Sequence, residues 1–173
     1  MRESDSELAG IFLEFSRNKL LKQYWPRLRT CVEGLNEDQV WWRPNEASNS
    51  VGNLLLHLNG NVTQWLVASF NRSNDERDRP AEFSARKGIT VQVLLNQLCD
   101  TMDKAGTVLD RLTVQELLAP YEIQGYHVRG MDAVYQVVEH FGLHYGQIAY
   151  ITKLLNANDL GFYRELNQTG RAQ

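Results

Sequence analysis

The histidines are the residues of this chain best suited to chemistry. His140 and His144 lie one helical turn apart in MDAVYQVVEHFGLHYGQIAYITKLL, residues 131–155. Residues four apart on a helix have Cβ atoms roughly 5–6 Å apart, so both imidazoles can reach one metal ion. At roughly 100° per residue, Ala133, Val137, Phe141, His144, Ile148, Ile151 and Leu155 form one apolar stripe, with His140 beside it. Imidazoles on such a face need partners, because a buried unpaired polar group costs about 1–3 kcal/mol. His57 sits in another helical segment, on the flank of its apolar stripe and roughly 115° from the stripe's centre. The three histidines together make a nitrogen set for one divalent ion, Zn²⁺ or Ni²⁺. Such a set leaves at least one position for water or substrate, as catalytic sites do and closed structural sites do not.

No carboxylate base is evident beside them, since Glu139 is turned roughly 140° from His144. The side chains sharing the histidine faces are Asn53, Asn61, Gln64, Gln136 and Gln147, which hydrogen-bond but do not titrate. Asn61 and Gln147 are the candidates for orienting the ligands or a bound substrate. Three neutral donors leave the charge of the ion uncompensated, which favours an anionic oxygen or a thiolate. The catalytic group is then water or a thiol activated at the metal, and the missing base favours the thiol.

Four long helical patterns must position these groups. The first runs from about Glu7 to Gly34 and carries two apolar faces: Ile11, Phe12 and Phe15, then Leu21, Tyr24, Trp25, Leu28, Val32 and Leu35. Pro26 lies inside it and is expected to kink or break it. The doubled face favours a subunit contact, hence a homodimer. The second, N-capped by Ser50, runs to about Phe70 with a stripe of Val51, Leu54, Leu55, Leu58, Val62, Trp65 and Leu66. The third, with Thr90 near its start, holds its apolar period from Val91 to Leu112. The fourth is the histidine helix. Trp41 and Trp42 lie in the connection 36–49, where they cover a bundle end or wall a pocket.

Two connections carry information. Residues 71–88 (NRSNDERDRPAEFSARKG) alternate acids and bases and read as a solvated connector. A sharper alternative puts Arg79 and Glu82 at the mouth of a site. Residues 119–130 (APYEIQGYHVRG) are β-prone on both sides of Gly125, a short hairpin or extended crossover holding His127, which reads as a surface or hydrogen-bonding histidine. Asn156 to Gly161 stop the last helix, Phe162 and Tyr163 are placed to fold back, and residues 164–173 are expected to be a disordered tail. The whole, 1–173, reads as one all-α domain, a four-helix bundle with a short extended segment before the last long helix.

Composition narrows the function classes. With 173 residues, 43% apolar and 23% charged, the chain is an ordinary globular sequence. A net charge of −3 gives no electrostatic case for nucleic acid or an anionic membrane. No apolar run approaches the roughly 20 residues that cross a bilayer. The N-terminal MRESDSELAG is acidic and does not resemble a secretory signal. Cys31 and Cys99 sit at core-like helix positions without CxxC spacing, as buried thiols of a cytoplasmic protein do.

The segments NSVGNLLLHLNGNVTQW and HFGLHYGQIAYITKLL resemble the DinB/YfiT-like metalloenzymes, and WWRPN and RDRPAEF extend the likeness from about Leu13 to Tyr163. In that family one histidine comes from the second helix and an HxxxH pair, followed by Gly-Gln-Ile, from the last. Here these correspond to His57, His140 and His144, with Gly146, Gln147 and Ile148 in place. The resemblance implies an up-down-down-up four-helix bundle, a divalent metal and frequent dimers. Some relatives are transferases that use low-molecular-weight thiols.

The leading expectation is a metal-dependent enzyme acting on a small molecule, a thiol S-transferase or alternatively a hydrolase. It takes about one Zn²⁺ or Ni²⁺ per chain, with binding that weakens as pH falls towards the histidine pKa of about 6.5. A non-catalytic ligand-binding bundle and a purely structural role for the histidines are the competing readings.

Overall fold

The computed structural model describes residues 3–164. The chain is mostly helical. It begins with α1 (Glu3–Arg17), a π-helical stretch (Asn18–Tyr24) and α2 (Trp25–Glu33). The junction residues Arg17, Tyr24 and Trp25 keep right-handed helical dihedrals, so the chain stays helical throughout. Pro26 does not break it: proline removes one amide donor, and it falls in the first turn of α2, just past the looser π register.

The short α3 (Glu37–Trp41) follows an Asn36 capping box. Next come α4 (Val51–Val62), a π-helical stretch (Thr63–Ala68) and α5 (Ser69–Asn71). Ser50 caps α4 as the sequence predicts, with its side chain accepting from Asn53 N. The charged connector is not merely solvated chain. Asp78 caps a helix, α6 (Arg79–Ser84), that has a proline in its first turn. Then come α7 (Val91–Arg111), α8 (Val114–Leu118), β1 (Pro120–Ile123), β2 (Tyr126–Arg129) and α9 (Gly130–Asn156).

The strands form an antiparallel hairpin, Ile123 opposite Tyr126 and Pro120 opposite Arg129. Its two-residue turn needs positive φ at both positions, met by Gln124 at 55° and Gly125 at 80°. The exposed His127 pairs with Glu122 across this ladder.

The long helical stretches share one core. α4 packs on α7, α9 and α6, and α2 packs on α9. Leu28, Leu55, Leu58, Leu66, Leu94, Leu98, Met102, Phe141 and Ile148 are fully buried among them. Burial of each such side chain stabilises by about 1.5–3 kcal/mol, and this tertiary term rather than intrinsic propensity holds the helices. Phe162 packs against the core beside Tyr145, and Arg27 lies over the Phe162 and Tyr163 rings, so the chain folds back after α9. The disorder expected for 164–173 concerns, from residue 165 on, positions outside the described residues. Cys31 is buried as expected and Cys99 only half-buried; both are free thiols. No described helix is long and apolar enough to cross a membrane.

Candidate metal centre

α4 and α9 cross where His57 faces His140 and His144. His57 is 5% exposed, and the other two are half-buried. The Nε2 atoms converge: His57 to His140 at 3.1 Å and His144 to His140 at 3.1 Å. Ligand nitrogens about 2.0–2.1 Å from a zinc ion lie about 3.3 Å apart in a tetrahedral arrangement, so these two spacings, which are also hydrogen-bond distances, are close to those of ligands that share a cation.

The outer nitrogens show which lone pairs face that point. His57 Nδ1 lies 2.9 Å from Glu82 Oε2. Glu82 is 8% exposed, and burial pushes its carboxyl up, but the hydrogen bonds from Arg77 and His57 outweigh this and hold it below the usual carboxylate range. An ionised carboxylate only accepts, so His57 donates from Nδ1, and in the neutral ring this leaves the lone pair on Nε2. Arg77 Nη2 is also 3.0 Å from His57 Nδ1, but its hydrogen bond goes to Glu82 Oε2 at 2.9 Å. His144 Nδ1 lies 2.7 Å from Gln147 Oε1, which likewise accepts and leaves the His144 Nε2 lone pair inward. Lone pairs aimed at one point repel unless a cation or protons lie between them. A second proton on either ring of α9 is disfavoured: burial foremost, then the neighbouring imidazoles, lowers His140 to about 3, and burial lowers His144 despite the opposing Gln147 bond. The single N–H of the neutral His140 ring, which no partner among the described residues holds at Nδ1, is the one proton that can face the point in the metal-free chain. At His140 and His144, competition between protons and a metal therefore moves below the ordinary imidazole range. The residues present fit a divalent metal, and as a group they can hold one.

A carboxylate does touch the histidine set, contrary to the sequence expectation. It comes from the connector and stands behind His57, on the side away from the other two histidines. Arg77 fixes it through Nε to Oε1 at 2.6 Å, while Arg77 Nη1 donates to Gln64 Oε1 at 3.0 Å and Gln64 in turn donates to Asp75. The Arg77 side chain is only 4% exposed. Gly60 makes room for this pair, since a Cβ there would lie 2.1 Å from Glu82 Oε1. Asn53 does not reach the histidines. Its amide donates to the Glu82 and Ala85 carbonyls, pinning α6 to α4. Of the five amides expected near the histidines, Gln147 touches one, Asn53 and Gln64 hold the Glu82–Arg77 pair, and Asn61 and Gln136 face a cavity.

That cavity, about 360 Å³, opens beside His57 and His140 and is lined further by Asn61, Gln136, Arg77 and Arg79, with Gln124 and Tyr126 from the hairpin. No carboxylate lines it among the described residues. Of the residues around it, Asn61 Oδ1, Gln136 Oε1 and His140 Nδ1 are buried without a hydrogen-bond partner among the described residues. A larger cavity of about 580 Å³ behind Glu82 meets Arg77 but none of the histidines. Trp41 donates to Ile89 O at 3.1 Å, and Trp42 lines a surface cavity with Tyr150, Leu154 and Gln147, the residue that holds His144; neither tryptophan lines the cavity beside His57 and His140.

Arg77 is the functional residue that sequence reasoning missed. Asp78 followed by Pro80 is a helix-start signal that would have turned the connector into an element with a fixed position.

A mostly helical chain with three convergent imidazoles and a polar cavity beside them defines a protein with a metal-capable site. The chain belongs to the family described as Protein of unknown function (DUF1572), whose sequence model matches residues 7–164. No curated protein matches it significantly.

Proposed function

We propose that this chain is a divalent-metal-dependent enzyme of the DinB-like type, an S-transferase that joins a small thiol to an electrophile. The observation that carries the reading is the convergence of three Nε2 atoms, with the outer nitrogens of His57 and His144 held by Glu82 and Gln147. His57, His140 and His144 hold the metal, Zn²⁺ or Ni²⁺. The bound ion supplies a Lewis-acid position that brings a thiol or water to its anionic form near neutral pH. Gln147 orients His144, Glu82 orients His57, and Asn61 offers a hydrogen bond to a bound molecule.

Among the described residues the cavity side of the histidines has no carboxylate to deprotonate water, and Glu82 is locked to Arg77 behind them. This favours a thiol over hydrolysis. In the transfer a sulfur–carbon bond forms, the carbon–leaving-group bond breaks with its electron pair on the leaving group, and the thiol proton passes to solvent. The long helices are read as the up-down-down-up bundle of DinB-like proteins. The exposed Leu8, Ile11 and Phe15 on α1 support a homodimer, and the two free cysteines suit a reducing cytoplasm.

The test is a screen of the Zn²⁺- or Ni²⁺-loaded chain with cellular thiols and electrophiles, following thiol consumption. The expected result is consumption above background that disappears with chelator and in His57→Ala. A chain that holds stoichiometric metal but consumes no thiol is instead a ligand-binding bundle.

A further inference from the structure

We propose that the cavity beside the histidines is a subsite for a small organic carboxylate bearing an N–H or O–H donor next to its carboxyl group. The inference deepens the metal-site reading and rests on it for the placement of the reacting atom. Charge comes first. Arg77 is neutralised by Glu82, but Arg79 makes no hydrogen bond or ion pair among the described residues. Its guanidinium carbon lies 4.9 Å from the Phe83 ring centroid, a contact that leaves the N–H fork free. With Arg77 paired and no acid on the wall among the described residues, Arg79 gives the cavity an uncompensated positive charge. A carboxylate matches one planar guanidinium fork by two parallel hydrogen bonds.

Donors and acceptors then narrow the ligand. Gln124 accepts from Trp65 Nε1 at 3.3 Å through Oε1, so its amide N–H groups are left as donors. Asn61 lines the cavity and is 3% exposed, and its buried Oδ1 has no hydrogen-bond partner among the described residues. A buried acceptor of this kind calls for a donor, which a carboxylate alone lacks. An amino or hydroxyl group beside the carboxylate supplies it. Amino acids, hydroxy acids and thiols built on them satisfy Arg79 and Asn61 at once.

The test titrates the Co²⁺-loaded full chain calorimetrically with L-cysteine, cysteamine and 3-mercaptopropionate, which differ by one carboxylate or one amine. L-Cysteine is expected to bind about tenfold to a hundredfold more tightly than cysteamine, and more tightly than 3-mercaptopropionate. In Arg79→Gln, a change at an exposed position, the preference over cysteamine is expected to vanish. Equal binding of cysteine and cysteamine, or a preference that survives Arg79→Gln, overturns the carboxylate subsite. Equal binding of cysteine and 3-mercaptopropionate overturns the role of Asn61. The chelator-treated chain with L-lactate against lactamide separates the two readings. Failure to bind Co²⁺ sinks the metal site, while an Arg79-dependent preference for lactate still upholds the subsite and its absence removes it.

Discussion

His57 is held from outside its own helix, whereas His140 and His144 are held from within theirs. Behind His57 stands a chain of charged and polar groups, Glu82, Arg77, Gln64 and Asp75, mostly brought in by the connector between α5 and α7. Behind His144 stands Gln147, three residues along the same helix, and His140 has no partner at Nδ1 among the described residues. The α9 pair is therefore preset by helix geometry and burial. His57 depends on a buried ion pair that exists only when the connector is docked. A site built this way is rigid on one side and coupled to a distant segment on the other.

Removing the carboxylate should break the His57 side most severely. Glu82→Ala leaves the Arg77 guanidinium buried without its counter-charge, a change that costs about 3–5 kcal/mol. Thermal or urea unfolding of the metal-free chain should show that loss, and a variant as stable as the parent would mean the pair carries no strain of burial.

A smaller, more selective break comes at Gly60, where an added Cβ would meet Glu82 Oε1 at 2.1 Å and Arg77 Nε at 2.7 Å. Within a helix Gly→Ala gains about 1 kcal/mol of propensity, which offsets part of the displacement. Gly60→Ala is predicted to keep stability within about 1 kcal/mol while lowering metal affinity about tenfold to a hundredfold. Unchanged affinity in a metal titration would show that the Glu82–Arg77 pair does not orient His57.

The α9 side is probed most gently by pH. Burial lowers His140 to about 3, so between about 6.5 and about 3 the unfolded chain binds a proton that the folded chain refuses. The stability this group contributes is intact above about 6.5 and declines as pH falls towards about 3. In the chelator-treated protein the His140 NMR resonance should stay that of the neutral ring down to about pH 5. Titration near 6.5 would show that the ring is not desolvated as the geometry requires.

The same contrast explains what the sequence made legible. The HxxxH pair, the Ser50 cap and the hairpin about Gly125 depend on neighbours within a few residues, and local periodicity or turn chemistry revealed them. Glu82 was read only as a residue near the mouth of a site, because its bond to His57 spans 25 positions. Its alternating charged surroundings look the same on a solvated loop. Asn53 was misassigned for a related reason: the helical wheel put it on the histidine flank, but its amide is consumed by α6. Pro26 was expected to distort the helix, and the π register next to it could not be read from periodicity.

The central claim is that His57, His140 and His144 together bind one divalent ion per chain. Calorimetric titration with Zn²⁺ or Ni²⁺, backed by metal analysis, tests it on the full chain and on the three single His→Ala variants. The account predicts one ion bound by the parent and affinity reduced more than about a hundredfold in each variant, a larger loss than removing an outer hydrogen-bond partner causes. Full stoichiometry and affinity retained in His144→Ala would contradict it.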